Sequence, residues 1–148
     1  LLLGFMLGRK SKYEKRDYLK QFKIGKATYS ESLIYEAYGG LQNDGIMLAV
    51  YYDVDATKIV HQLDSWEKIN DSPTISFILK NVSSYFGLDF VIPEIASGNF
   101  FLYDNSQHKE LRSEAEMNTL LLHSEDVNFS LVVWDDEKHT IYIVEYRI

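Results

Sequence analysis

The chain has 148 residues, 46% hydrophobic and 14% aromatic, with no cysteine, two prolines and a net charge of −7. That length suits one domain, and that apolar content excludes a disordered chain, which would lack aromatic and β-branched residues. The absence of cysteine excludes a disulfide framework, a thiolate zinc site and a cysteine nucleophile.

The charge is divided along the chain. Residues 1–28 hold eight Lys/Arg against two Asp/Glu, a balance of +6, and residues 29–148 carry −13. An acidic body makes a poor nucleic-acid binder, because phosphate contacts need a basic surface. No nucleic-acid partner is therefore expected, whereas the basic arm suits anionic lipid headgroups.

In chain order, Leu1 to Gly8 is apolar and stops at Arg9-Lys10. Eight residues fall short of the roughly 20 that span a bilayer. Residues 1–8 are expected to be the remnant of a membrane or signal segment, and 9–28 a basic helical arm leading out of the membrane. Residues 29–148 are expected to form a single acidic domain. The positive-inside rule would place Arg9, Lys10, Lys12, Lys15 and Arg16 in the cytoplasm.

Leu33 to Tyr38 and Ile46 to Tyr52 are strand-like runs around a Gly-rich break, Gly39 to Gly45, and predict a hairpin. The second run is apolar on both faces and predicts a central, covered strand. Ala56, Ile59, Val60 and Leu63 predict one face of a helix. Ser72-Pro73 opens another, with the stripe Ile75, Ile78, Leu79, Val82 and Phe86, and Gly87 closes it. Asn99 to Tyr103 predicts a strand. Ser113 and Glu116 have capping-box spacing before Met117, Leu120 and Leu121. Val127 to Trp134 and Ile141 to Ile148, around Asp135–His139, predict a hairpin with one face to the core. The expected fold is α+β: an antiparallel sheet of about five strands, β-β-α-α-β-(α)-β-β, covered by two or three helices.

The candidate sites are weak in chemistry. Gly39, Gly40, Asn43, Asp44 and Gly45 form a loop that tolerates positive φ and close backbone approach, as a ligand or interaction loop would. The plain alternative is a hairpin turn. No Lys-Ser/Thr follows it, so it is not a P-loop. Asp53 and Asp55, with Asp44, offer oxygen ligands for a hard cation, against a simpler capping role for Asp55. His61, His108, His123 and His139 lack ligand spacing. Ser97 stands in no Gly-x-Ser-x-Gly motif, and Glu94 is a loop carboxylate that could act as an acid. Trp66, Trp134 and the tyrosines are core or a recognition surface. No cofactor, metal or catalytic set is expected.

Tyr38-Gly39-Gly40-Leu41-Gln42-Asn43-Asp44-Gly45, followed by an apolar strand, Trp66-Glu67 and the C-terminal hairpin, resembles small membrane-anchored or lipoprotein-like proteins of Gram-positive bacteria. Their loop runs His-Gly-Gly-Phe-His-Gly-Asp-Gly. Gly39, Gly40, Asp44 and Gly45 match it, while Tyr38 and Gln42 stand where the histidines would be. The resemblance implies an anchored bacterial protein, on the extracytoplasmic side, and implies no activity.

Three functions remain in view. The first is a non-enzymatic, membrane-anchored domain that binds a protein or cell-surface component. The second is an immunity-type protein neutralising a basic toxin. The third is a small-ligand binder or hydrolase using the Gly39–Gly45 loop with Asp44, Asp53 or Glu94.

Overall fold

The computed structural model describes residues 18–39, 44–69, 72–87, 92, 94–123 and 127–147. Among them are seven strands and four helices. In chain order these are α1 (Tyr18–Gln21), β1 (Glu31–Gly39), β2 (Asp44–Tyr52), a 3-10 turn (Ala56–Lys58), α2 (Val60–Asp64), β3 (Glu67–Lys68) and α3 (Pro73–Tyr85). There follow β4 (Gly98–Asp104), β5 (Lys109–Leu111), α4 (Glu114–His123), β6 (Asn128–Asp135) and β7 (Thr140–Arg147).

The sheet is antiparallel with the order β1-β2-β7-β6-β4-β3, and β5 extends the β4 edge beside β3. The α+β antiparallel class holds, with seven strands in place of about five. The two extra strands are two and three residues long, too short to show any alternation in sequence. The Gly-rich break does join a hairpin: Gly39 lies opposite Asp44, and Tyr38 opposite Gly45. β2 is central and buried on both faces.

The C-terminal hairpin differs from its expectation. β6 and β7 also sit in the middle of the sheet, and both of their faces are covered. Phe129, Leu131 and Val133 join Leu48, Val50, Leu102 and Val144 under α3 and α4. Val132, Trp134, Ile141 and Ile143 point the other way, into a second cluster with Met47, Ala49, Leu63 and Trp66. That second cluster is closed by Tyr18, Leu19, Ile24 and Ala27, all buried. The Tyr18 hydroxyl donates to Glu36, and the Gln21 amide donates to Glu145. Residues 18–27, grouped by charge with the basic arm, are thus packed on the sheet.

Local signals account for the helices. Ser72 Oγ accepts from the Ile75 N–H, Pro73 takes the first turn, and Gly87 follows the Phe86 C-cap at φ +58°. Ser113 and Glu116 form the reciprocal capping box: Glu116 N–H donates to Ser113 Oγ and Ser113 N–H to Glu116 Oε1. The helix expected from Ala56 to Leu63 breaks at Ile59, whose φ of −124° is not helical. Thr57, Ile59 and Val60 are β-branched and weak helix formers. Ile59 and Leu63 are buried, while Val60 is exposed.

Three tyrosines on the α3/α4 side of the sheet are held above their ordinary pKa of 10. Burial is the first cause in each. The neighbours Tyr35 and Glu31 add to it at Tyr52, Asp135 and Tyr52 at Tyr142, and Tyr85 at Tyr146. A raised folded pKa means that the unfolded chain loses these protons first. Their contribution is complete below about pH 10 and declines as pH rises through the folded values. Denaturant midpoints should therefore fall steeply above about pH 10, and Tyr142→Phe should flatten that slope.

Candidate docking groove between the two long helices

The expected Gly39–Gly45 site lies only partly within the described residues, since Gly40, Leu41, Gln42 and Asn43 fall outside them. Gly39 and Asp44 close the β1–β2 ladder, and Gly45 continues it. Gly45 is needed for close approach: a Cβ there would lie 2.1 Å from the Tyr38 ring and 2.9 Å from the Ala37 carbonyl oxygen. Tyr38 covers the bare backbone of its cross-strand partner, as aromatic residues do over strand glycines.

The other candidate residues are dispersed. Asp55 caps the 3-10 turn, accepting from the Thr57 N–H at 3.0 Å and the Thr57 hydroxyl at 2.8 Å. Asp53, at φ +53°, accepts from the Ser30 hydroxyl. His61, His108 and His139 are exposed, and the last two hold left-handed turn positions. His139 also stacks on Trp134. Glu94 is exposed. Trp66 is core and packs against Phe101. Among the described residues no three His, Asp or Glu side chains gather as metal ligands would.

Two recesses stand out. One, of about 450 Å³, lies between the 3-10 turn, α2 and the start of β4. Asp64, Lys68, Ser97 and Asp136 are in its lining. Among the described residues no histidine joins Ser97 in that lining.

The other is a groove between α3 and α4. The two helices run side by side with their N-termini together. Glu114, at the start of α4, accepts from the hydroxyls of Ser72 and Thr74 at the start of α3. Thr74 is also bonded to Asn118 Oδ1 at 3.2 Å. One carboxylate therefore holds both helix starts. Beyond this tie the groove opens in two connected parts, of about 420 and 320 Å³, which share Phe77, Leu121 and Leu122. Ile46, Phe129 and Tyr146 from the sheet line the larger part. Tyr146 stacks on Phe129 with ring centres 5.4 Å apart.

The rim is apolar and exposed. Phe77 is 60% accessible, Leu122 73% and Tyr85 45%. Among the described residues no charged side chain lines either part, in a chain that is 25% charged. A water-facing apolar patch rimmed by Asn81 and Asn118 is the composition of a contact surface. The groove lies beside the buried stripe of α3, Ile75 to Phe86, and its exposed rim uses a different face of that helix. The signal was present in Phe77, Asn81 and Tyr85, spaced i, i+4, i+8 on a second face, and in Leu122 as a third consecutive leucine.

Glu114→Ala should loosen this groove. The buried Ser72 hydroxyl would lose its acceptor and the Thr74 hydroxyl would keep only Asn118 Oδ1, at a cost of about 1–3 kcal/mol. Thermal unfolding measures the loss, and hydrogen exchange should rise first at the starts of α3 and α4.

The chain matches no family model, no curated protein and no solved structure.

Proposed function

We propose that this protein is a membrane-anchored binding domain, and that its α3/α4 groove receives an apolar helical surface of another protein chain. The uncharged groove with Phe77 and Leu122 at its rim carries the reading. Interface cores lose charge and gain aromatic side chains, which is the composition of this rim. A helix laid in such a groove would engage it through residues three and four apart. A basic toxin would need an acidic contact surface, and no described residue of the groove lining is acidic. The anchored placement rests on the apolar run 1–8 and the basic residues from Arg9 to Arg16, which precede the described residues; no described helix is long and apolar enough to cross a membrane.

The test is titration with a labelled amphipathic helical peptide whose apolar face carries only Leu and Ala. Fluorescence anisotropy should show saturable binding. The double substitution Phe77→Asp and Leu122→Asp should weaken it at least ten-fold, about 1.4 kcal/mol or more. Both residues are exposed, so unfolding curves should change little. Absent binding, or binding that both substitutions leave intact, would remove the reading.

A further inference from the structure

Resting on the docking reading above, we infer that the chain seated in the α3/α4 groove is a second copy of this protein, related by a two-fold axis. A two-fold interface places one patch against itself, so every charge in it meets a neighbour of its own sign. With −7 on the whole chain, most of this surface would repel its own copy. Among the described residues the groove lining is uncharged, and self-contact through those residues brings no like charges together.

Shape points the same way. An isologous contact needs a projection and a recess on the same patch. Phe77 and Leu122 project, at 60% and 73% accessibility, directly beside recesses of about 420 and 320 Å³. Each copy can therefore place its rim side chains in the opposite groove. A lipid surface is the poorer occupant. Interfacial helices carry Lys and Arg along their polar face, whereas α3 and α4 offer one lysine, Lys80, against Glu114 and Glu116.

The face is modest in size. Helices of 13 and 10 residues are about 20 and 15 Å long and offer roughly 400 Å² of footprint per copy. Doubled over two copies this lies below about 1,200 Å², the range of weak and transient contacts, and suits a reversible dimer. Two copies tethered in one membrane would meet at a raised effective concentration.

The chain has no cysteine, so single cysteines report on contact without further engineering. The full chain is expressed in membranes with Leu122→Cys, Asn81→Cys or Lys138→Cys and treated with a short bis-maleimide. Lys138 lies in the exposed β6–β7 turn, away from the groove. The expected result is cross-linked dimer from positions 122 and 81 and none from 138. Adding Phe77→Asp should cut the yield at least ten-fold. No dimer from 122 and 81, or as much from 138, would overturn the second copy as occupant. A cross-link from 122 to a different protein would also overturn it and leave the docking reading standing. Protection of 122 by added lipid vesicles, with no protein adduct, would place the face on a membrane and overturn both. The peptide titration stands apart, because it reads the groove without a second copy.

Discussion

A chain beginning at Tyr29 should fail to fold, although residues 29–148 hold all seven described strands. Removing residues 18–27 takes Tyr18, Leu19, Ile24 and Ala27 out of the second cluster. Their burial contributes about 5–8 kcal/mol, taking about 1.5–3 for each large side chain. That is comparable with the whole stability of a domain, about 5–15 kcal/mol. The loss also uncovers Met47, Ala49, Ile141 and Ile143, each fully buried in the intact protein. A sheet with part of one apolar face uncovered is prone to aggregate. Circular dichroism and size-exclusion chromatography should show an unfolded or aggregated product. A monomeric, cooperatively unfolding 29–148 would contradict this packing. Tyr18→Ala is the milder version, with an expected loss of about 3–4 kcal/mol.

Gly98→Ala should be nearly as damaging. Gly98 begins β4 at φ +153°, and a Cβ there would fall 1.8 Å from the Trp134 carbonyl oxygen. That oxygen belongs to the backbone of central strand β6, so no side-chain rotation makes room. The Gly98 carbonyl also accepts the Ile69 N–H at 3.1 Å, and the Ser97 carbonyl accepts the Asp136 N–H at 3.1 Å. Moving the strand start would break both contacts. The expected cost is about 3–5 kcal/mol, in the range of the most disruptive single changes. Urea denaturation measures it, and a loss under about 1 kcal/mol would mean that β4 can shift away from β6.

The helix boundaries were legible because each is written in one or two side chains. Ser72, Pro73 and Gly87 frame α3, and Ser113 with Glu116 opens α4. The hairpins were legible for the same reason, through Gly39–Gly45 and the Asp135 turn. In that turn Asp135 Oδ1 accepts from the Glu137 and Lys138 N–H groups. The second cluster was not legible. Part of its cover comes from four apolar residues scattered among Lys20, Lys23 and Lys26, where charge outweighs pattern. The burial of both faces of β6 and β7 depends on that cover, so the C-terminal hairpin read as one-sided. β3 and β5 carry no periodicity, and pairing with β4 alone makes them strands.

The candidate site moved for a related reason. The Gly39–Gly45 loop is distinctive in composition, and its described residues Gly39, Asp44 and Gly45 are paired strand positions, with Tyr38 over Gly45. The groove is a property of two helices separated by nearly thirty residues of chain. Neither Phe77 nor Leu122 is unusual in a helix. They become a patch only when Glu114 ties α3 to α4 and the sheet supplies the base of the groove.

The most direct test of the groove as the docking surface is a chemical-shift map of the isotope-labelled chain, titrated with the Leu/Ala-faced helical peptide. The account predicts that perturbations gather at Phe77, Asn81, Tyr85, Leu121 and Leu122, with Tyr146 following from the base of the groove. Perturbations gathered instead at Gly39, Asp44 and Gly45, with α3 and α4 unchanged, would contradict it and return the site to the hairpin loop.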